Sequence, residues 1–331
     1  MVDSPTPQTC ATGIVADPIC KEHVTGPGHP ERVERFDAVM QGLGGDGLLD
    51  RLVKIEPRVA SEEELRLCHT ADYLRETKGA ILGGAEGLDA DTRACAESWD
   101  VASRAAGGIL NAVDAVVEEK VGNAFCVVRP PGHHACADRA MGFCIFNNVA
   151  IAARYAQRKH GLKRVLIVDW DVHHGNGTQD IFYEDGSVFF FSTHQSPWYP
   201  GTGQVHETGA GAGVGTTLNC PLSAGSGRKE IIRAFRDKLV PAAEVFRPDI
   251  VFISAGFDSR MEDPLGDFTL SDADFAELTE IVEGIARKHA GGRLVSVLEG
   301  GYNLQGLSLA ARAHVKALTE AAGAGRTLNK I

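Results

Sequence analysis

Short apolar runs that stop abruptly in glycine and polar residues constrain this chain more than any other feature. The run Val165–Val168 contains no polar residue and empties into Asp169, Trp170, Asp171, Val172, His173 and His174. A strand with one face in water alternates apolar and polar residues. A strand that is apolar at every position must be covered on both faces, as in a parallel sheet clad with helices. Further β-rich runs are Thr12–Ala16, Leu52–Ile55, Ala124–Arg129, Val188–Phe191, Ile250–Ser254 and Leu294–Leu298. Between them, residues 97–120, 148–160, 230–246 and 272–290 carry apolar residues at helical spacing. The pattern predicts an α/β fold in which a central, mostly parallel sheet of about eight strands is sandwiched by helices. No linker separates domains, so residues 1–331 are expected to form one domain with a core of about 12–315 and flexible ends at 1–10 and 322–331.

The chain has 44% hydrophobic and 23% charged residues, enough apolar surface for a sizeable core. Its formal net charge of -11 opposes non-specific binding to nucleic acid or anionic membrane and suits cationic substrates. No stretch of about 18 apolar residues and no basic-then-apolar leader occurs, so a cytoplasmic location without membrane contact is expected. The eight cysteines include no CxxC pair and are expected to be reduced, mostly in the core. The Gly-rich run at 209–216 lacks a P-loop lysine and is expected to be a loop.

The segments at the strand ends carry the chemistry. Ala124–Arg129 runs into PPGHHA, Val165–Val168 into DWDVHHGNG, Val188–Phe191 into STHQSPWYPGTG, Ile250–Ser254 into AGFDSRMEDPLGDF and Leu294–Leu298 into EGGYN. Sites of open parallel sheets form at the carboxyl ends of strands, so these five clusters are expected to converge on one crevice. Asp171 and His173, two residues apart on extended backbone, point the same way and can share a cation. With Asp263 they would supply one nitrogen and two carboxylate ligands, the plan of a catalytic zinc site with positions left open. His133 and His134 are then available for proton transfer, and Tyr302 for an oxyanion, which together suit metal-assisted hydrolysis of an amide. Alone, a His-His pair is an ordinary loop feature, and Asp258 reads as a cap. His23, His69, His160, His289 and His314 read as packing or surface histidines.

Taken together, RPPGHHA, GFCIFNN, DWDVHHGNGTQ, GFDSRMEDPLGDF and EGGYN resemble the zinc-dependent histone deacetylase family of the arginase/deacetylase superfamily. The form DWDVHHGNG is similar to the class II branch and its bacterial deacetylase-like amidohydrolases. The resemblance implies zinc at Asp171, His173 and Asp263, with His134 as general base and acid. It implies His133 as an electrostatic partner oriented by Asp169, Asn176 as the partner of His134, and Tyr302 as oxyanion donor. It further implies an acyl-lysine tunnel walled by Phe143 and Tyr199, with Gly142 leaving room beside the substrate amide and Asp91 at the rim. Structural potassium is implied at Asp169, Asp171, His173, Ser192 and Thr193, with a second site near Phe182, Asp185 and Val188.

The implied substrate is an acylated lysine in a peptide or protein, or an acylated small amine; self-association into a homo-oligomer stays open. Arginase-type enzymes hold two manganese ions and need a carboxylate where this chain has Gly175. Acetylpolyamine amidohydrolases share the catalytic residues, but relatives specialised for polyamines place an acidic residue where this chain has Leu265. A non-catalytic acyl-lysine binder is the reading from another class; the presence of Tyr302 and of every ligand speaks against it.

Overall fold

The computed structural model describes residues 11–323; residues 1–10 and 324–331, where flexible ends are expected, lie outside the described residues, while 322 and 323 complete the last helix. One sheet of eight strands forms the centre: β1 (Thr12–Ala16), β2 (Val53–Lys54), β3 (Asn123–Val127), β4 (Val165–Asp169), β5 (Val188–Gln195), β6 (Thr217–Leu222), β7 (Ile250–Ala255) and β8 (Leu294–Leu298). Their order is β2-β1-β3-β8-β7-β4-β5-β6, and every pairing is parallel.

The apolar runs behave as their composition demands. Val165 and Ile167 of β4 enter the core beneath the helices at Ser98–Val117 and Asn148–His160. Leu166 and Val168 enter the opposite core, beneath Glu34–Gly44, Asp272–His289 and Leu304–Gly323. The helix Asn148–His160 starts at Asn147, whose side chain accepts from Ala150 N, and stops at Gly161, which takes the left-handed φ of 69°.

Two differences from expectation have physical causes. β6 escapes detection because it is an edge strand, paired with β5 alone and carrying Pro221, so it lacks the continuous apolar pattern. The helix expected at 230–246 is interrupted by a wide turn at Phe235–Leu239, just ahead of Pro241, which has no N–H to give to the ladder. Among the described residues no helix is long and apolar enough to cross a membrane, and the seven described cysteines are free thiols.

Candidate active site

The strand order sets β3, β8, β7 and β4 side by side with β5 next to them, so their carboxyl ends open onto one crevice. β3 delivers His133 and His134. Their loop is held from beneath by Glu299, which comes directly after β8: Glu299 Oε2 accepts from Gly132 N at 2.7 Å and His133 N at 3.1 Å, and Oε1 from Ser254 Oγ at 3.0 Å. Buried and surrounded by acidic neighbours, the Glu299 carboxyl is pushed up to about 7. Sequence reasoning missed this anchor; the signal was an acidic residue directly after an apolar strand, in EGGYN.

The two histidines face different partners. His133 Nδ1 lies 3.0 Å from Asp169 Oδ2, and His134 Nδ1 lies 2.8 Å from Asn176 Oδ1. Burial disfavours charge on His133, but Asp171 and Asp169 outweigh it and raise this imidazole to about 10. For His134, burial and the neighbouring His133, 4.0 Å away ring to ring, outweigh the Asp171 charge and hold it neutral, well below the usual histidine range. Gly175 is required here, because a Cβ would fall 2.2 Å from Asp169 Oδ2. The arginase-type carboxylate therefore has no room at this position.

Ligand-type atoms of Asp171, His173 and Asp258 lie within 4.8 Å of one another, all three residues buried. His173 Nδ1 is 3.0 Å from Asp171 Oδ1 and 3.2 Å from Asp258 Oδ2. Asp258 and Asp263 of the GFDSRMEDPLGDF segment differ in their surroundings. Asp258, expected to be a cap, is fully buried: Oδ1 accepts from Val172 N at 2.9 Å, while Oδ2 has no hydrogen-bond donor besides the imidazole it faces. Asp263, expected as the third ligand, belongs to the adjacent loop, where Oδ1 accepts from Leu265 N at 3.0 Å and Oδ2 from Tyr302 N at 2.7 Å and Asn303 N at 3.0 Å. Asp258 lies just past the end of β7, and Asp263, farther along the loop, ties down the segment carrying Tyr302 while its charge acts on Asp258.

The donor set fits a divalent cation. Burial and the Asp171 charge raise Asp258 to about 7, against the opposing effect of the His173 imidazole it faces. One imidazole and two carboxylates match the ligand chemistry of catalytic zinc.

Above this group lies a slot of about 230 Å³ lined by Asp91, His134, Gly142, Phe143, His173, Trp198, Tyr199, Leu265 and Tyr302. Tyr199 stands edge-on to His134 at 5.1 Å between ring centres, and Phe143 edge-on to Tyr302 at 5.8 Å. Burial pushes the Tyr302 hydroxyl well above its usual range, so it stays a donor at neutral pH. Arg35 covers its ring at 4.9 Å and donates to Gly301 O at 2.7 Å. At the mouth, Asp91 Oδ1 accepts from Gly142 N at 3.1 Å, and Trp198 Nε1 donates to Leu265 O at 2.8 Å.

The residues expected to hold potassium fall in two places. Ser192 sits in register with Asp169 on β5, next to Thr193, and Ser192 Oγ lies 2.9 Å from His194 Nδ1. Phe182, Asp185 and Val188 form a turn closed by Asp185 N to Phe182 O at 3.0 Å.

Known proteins share this chain's sequence and fold. Residues 29–318 match the family described as the histone deacetylase domain. A probable deacetylase of Archaeoglobus fulgidus is 41% identical over 302 residues, covering 89% of this chain and 82% of that protein. A histone deacetylase-like amidohydrolase of Pseudomonas aeruginosa is 37% identical over 313 residues, with the same coverage of 89% and 82%. The human polyamine deacetylase HDAC10 is 41% identical over 290 residues, covering 84% of this chain but 43% of that protein. The crystal structure of the HDA15 HD domain superposes with a TM-score of 0.90 at 38% identity, covering 94% of this chain and 90% of that one.

Proposed function

The chain belongs to the histone deacetylase family of amide hydrolases, and we propose that within it the protein is a zinc-dependent deacylase of the N-ε amine of lysine. The observation that carries this reading is the narrow slot whose floor joins an Asp-His-Asp ligand group to two differently charged histidines and a buried tyrosine hydroxyl. Asp171, His173 and Asp263 would hold the zinc, with Asp258 facing the His173 imidazole. When bound, the metal would supply Lewis-acid polarisation of the amide carbonyl and acidify the attacking water.

The chain's own groups divide the remaining work. His134, neutral and joined to Asn176 through Nδ1, has Nε2 available to take the proton of the attacking water and return it to the departing amine. His133, cationic beside Asp169, stays charged through the cycle and steadies the negative charge that develops. Tyr302 donates its hydroxyl to the oxygen of the tetrahedral species. Phe143 and Tyr199 enclose the four-methylene chain and exclude water. Asp91, on the rim, would steer the substrate backbone, and Asp263 fixes the Tyr302 loop. Potassium around Asp169 and Ser192, and near Phe182 and Asp185, rests on the family resemblance and would stiffen the loops that carry these groups.

Leu265 favours lysine over polyamine, since an uncharged residue lines the slot there. Acetylputrescine remains the competing substrate, given the acidic mouth and the similarity to a polyamine deacetylase. Turnover of an acetyl-lysine peptide, longer acyl-lysine peptides and acetylputrescine, compared as kcat/KM, tests the reading. A higher value for a lysine peptide is expected, and a higher value for acetylputrescine would reassign the substrate.

A further inference from the structure

Asn176 raises a problem that an aspartate in its place would not. A carboxylate can only accept from His134 Nδ1, but an amide can accept through oxygen or donate through nitrogen, and the two choices fix opposite tautomers. If the amide nitrogen faced Nδ1, the imidazole would carry its proton on Nε2 and could take up no other while neutral. Something must set the amide.

The surroundings of Asn176 Nδ2 are two sulfurs. It lies 3.3 Å from Met141 Sδ and 3.6 Å from Cys136 Sγ, while Oδ1 lies 2.8 Å from His134 Nδ1. A thioether has no hydrogen to give, so Met141 tolerates only the amide's donor end. The Cys136 thiol points elsewhere: Sγ is 3.7 Å from both His134 O and Asp180 Oδ2, so its lone pairs are left for Nδ2. Met141 is itself held in place, because its backbone pairs with Cys144 across a turn in which Gly142 and Phe143 both have positive φ, at 57° and 69°. The same turn presses on His134, since a Cβ on Gly142 would meet the imidazole Cδ2 at 2.3 Å.

We infer that Cys136 and Met141 are positioning residues whose sulfurs orient the Asn176 amide, so that His134 carries its proton on Nδ1 and keeps Nε2 free. The inference rests on the reading of His134 as the proton-transfer base. Removing the acceptor from Met141 releases the amide to flip, and a fraction of the enzyme then holds the wrong tautomer.

The test is a double-mutant cycle with a spectroscopic arm. Met141→Leu keeps the volume and loses the acceptor; it is expected to lower kcat about five- to tenfold, the scale of one lost hydrogen bond, with KM changed less than about twofold. In an Asn176→Asp background, where no amide can flip, the same substitution is expected to leave kcat within about twofold of the single variant. An equal loss in both backgrounds would show that Met141 serves packing alone and would overturn the inference. Independently, nitrogen-15 NMR of histidine-labelled, metal-free protein is expected to show His134 protonated on Nδ1 in the native chain and a tautomer mixture in Met141→Leu. An Nε2-protonated native state, or a variant spectrum identical to the native one, would overturn it too. If the native protein hydrolysed no acyl amide, the functional reading would fall, and the NMR arm would still decide this one.

Discussion

Replacing Asp258 by asparagine should separate the two aspartates of the GFDSRMEDP segment by role. Asp258 is fully buried, 3.2 Å from His173 Nδ1, and its Oδ2 has no hydrogen-bond donor besides that imidazole. The amide keeps the shape and the bond from Val172 N but removes the negative charge that faces His173. Losing an outer partner of a metal ligand costs about 10–100-fold in affinity, or about 1.4–2.8 kcal/mol at about 1.4 kcal/mol per tenfold. Asp263→Asn should behave differently. Its two oxygens accept from three backbone N–H groups, and an amide can serve only one side, so about 1–3 kcal/mol of stability is lost. Zinc affinity should fall by more than about 100-fold, since a ligand is lost as well. Competition against a zinc-binding dye reads affinity, and thermal unfolding of the metal-free proteins reads stability. If Asp258→Asn released zinc while Asp263→Asn retained it, the assignment of Asp263 as the third ligand would be refuted.

Tyr302→Phe should lower kcat by about 100-fold or more with zinc content unchanged, as expected for losing one oxyanion donor; full activity in the metal-loaded variant would remove Tyr302 from the chemistry. Leu265→Glu places a carboxylate on the slot wall and should raise the kcat/KM ratio of acetylputrescine to acetyl-lysine peptide by about tenfold, equivalent to about 1.4 kcal/mol; an unchanged ratio would show that Leu265 does not read the substrate. Stability should fall as pH drops from about 6.5 to about 4. Burial holds His23, His69 and His194 at about 4 and His314 at about 3. The unfolded chain, with ordinary histidines near about 6.5, binds more protons across that window, so their contribution is complete above it and lost on acidification. Denaturant midpoints measured across that range check this, and a flat profile would contradict it.

The sheet was legible because buried parallel strands advertise themselves: β1 and β8 fall on the expected residues, and β4 differs only by taking in Asp169. β6 was illegible for the converse reason, since an edge strand needs no continuous apolar run. In the site, the pairings His133–Asp169 and His134–Asn176 could be anticipated from the motifs, and the structure brings both within hydrogen-bond reach. The burial of Asp258 against His173 was not legible, because only the path of the backbone after β7 brings that carboxylate there. Arg35 was not legible, because its contact with Gly301 O is to backbone and leaves no mark in a sequence, while Glu299 left only the signal of an acidic residue directly after an apolar strand.

The most direct measurement is metal content alongside amide turnover in the same preparation. Stripping the protein with a chelator should abolish hydrolysis of an acetyl-lysine peptide, and one equivalent of zinc should restore it. A protein that takes up one zinc at Asp171, His173 and Asp263 and hydrolyses neither the peptide nor acetylputrescine would contradict the account.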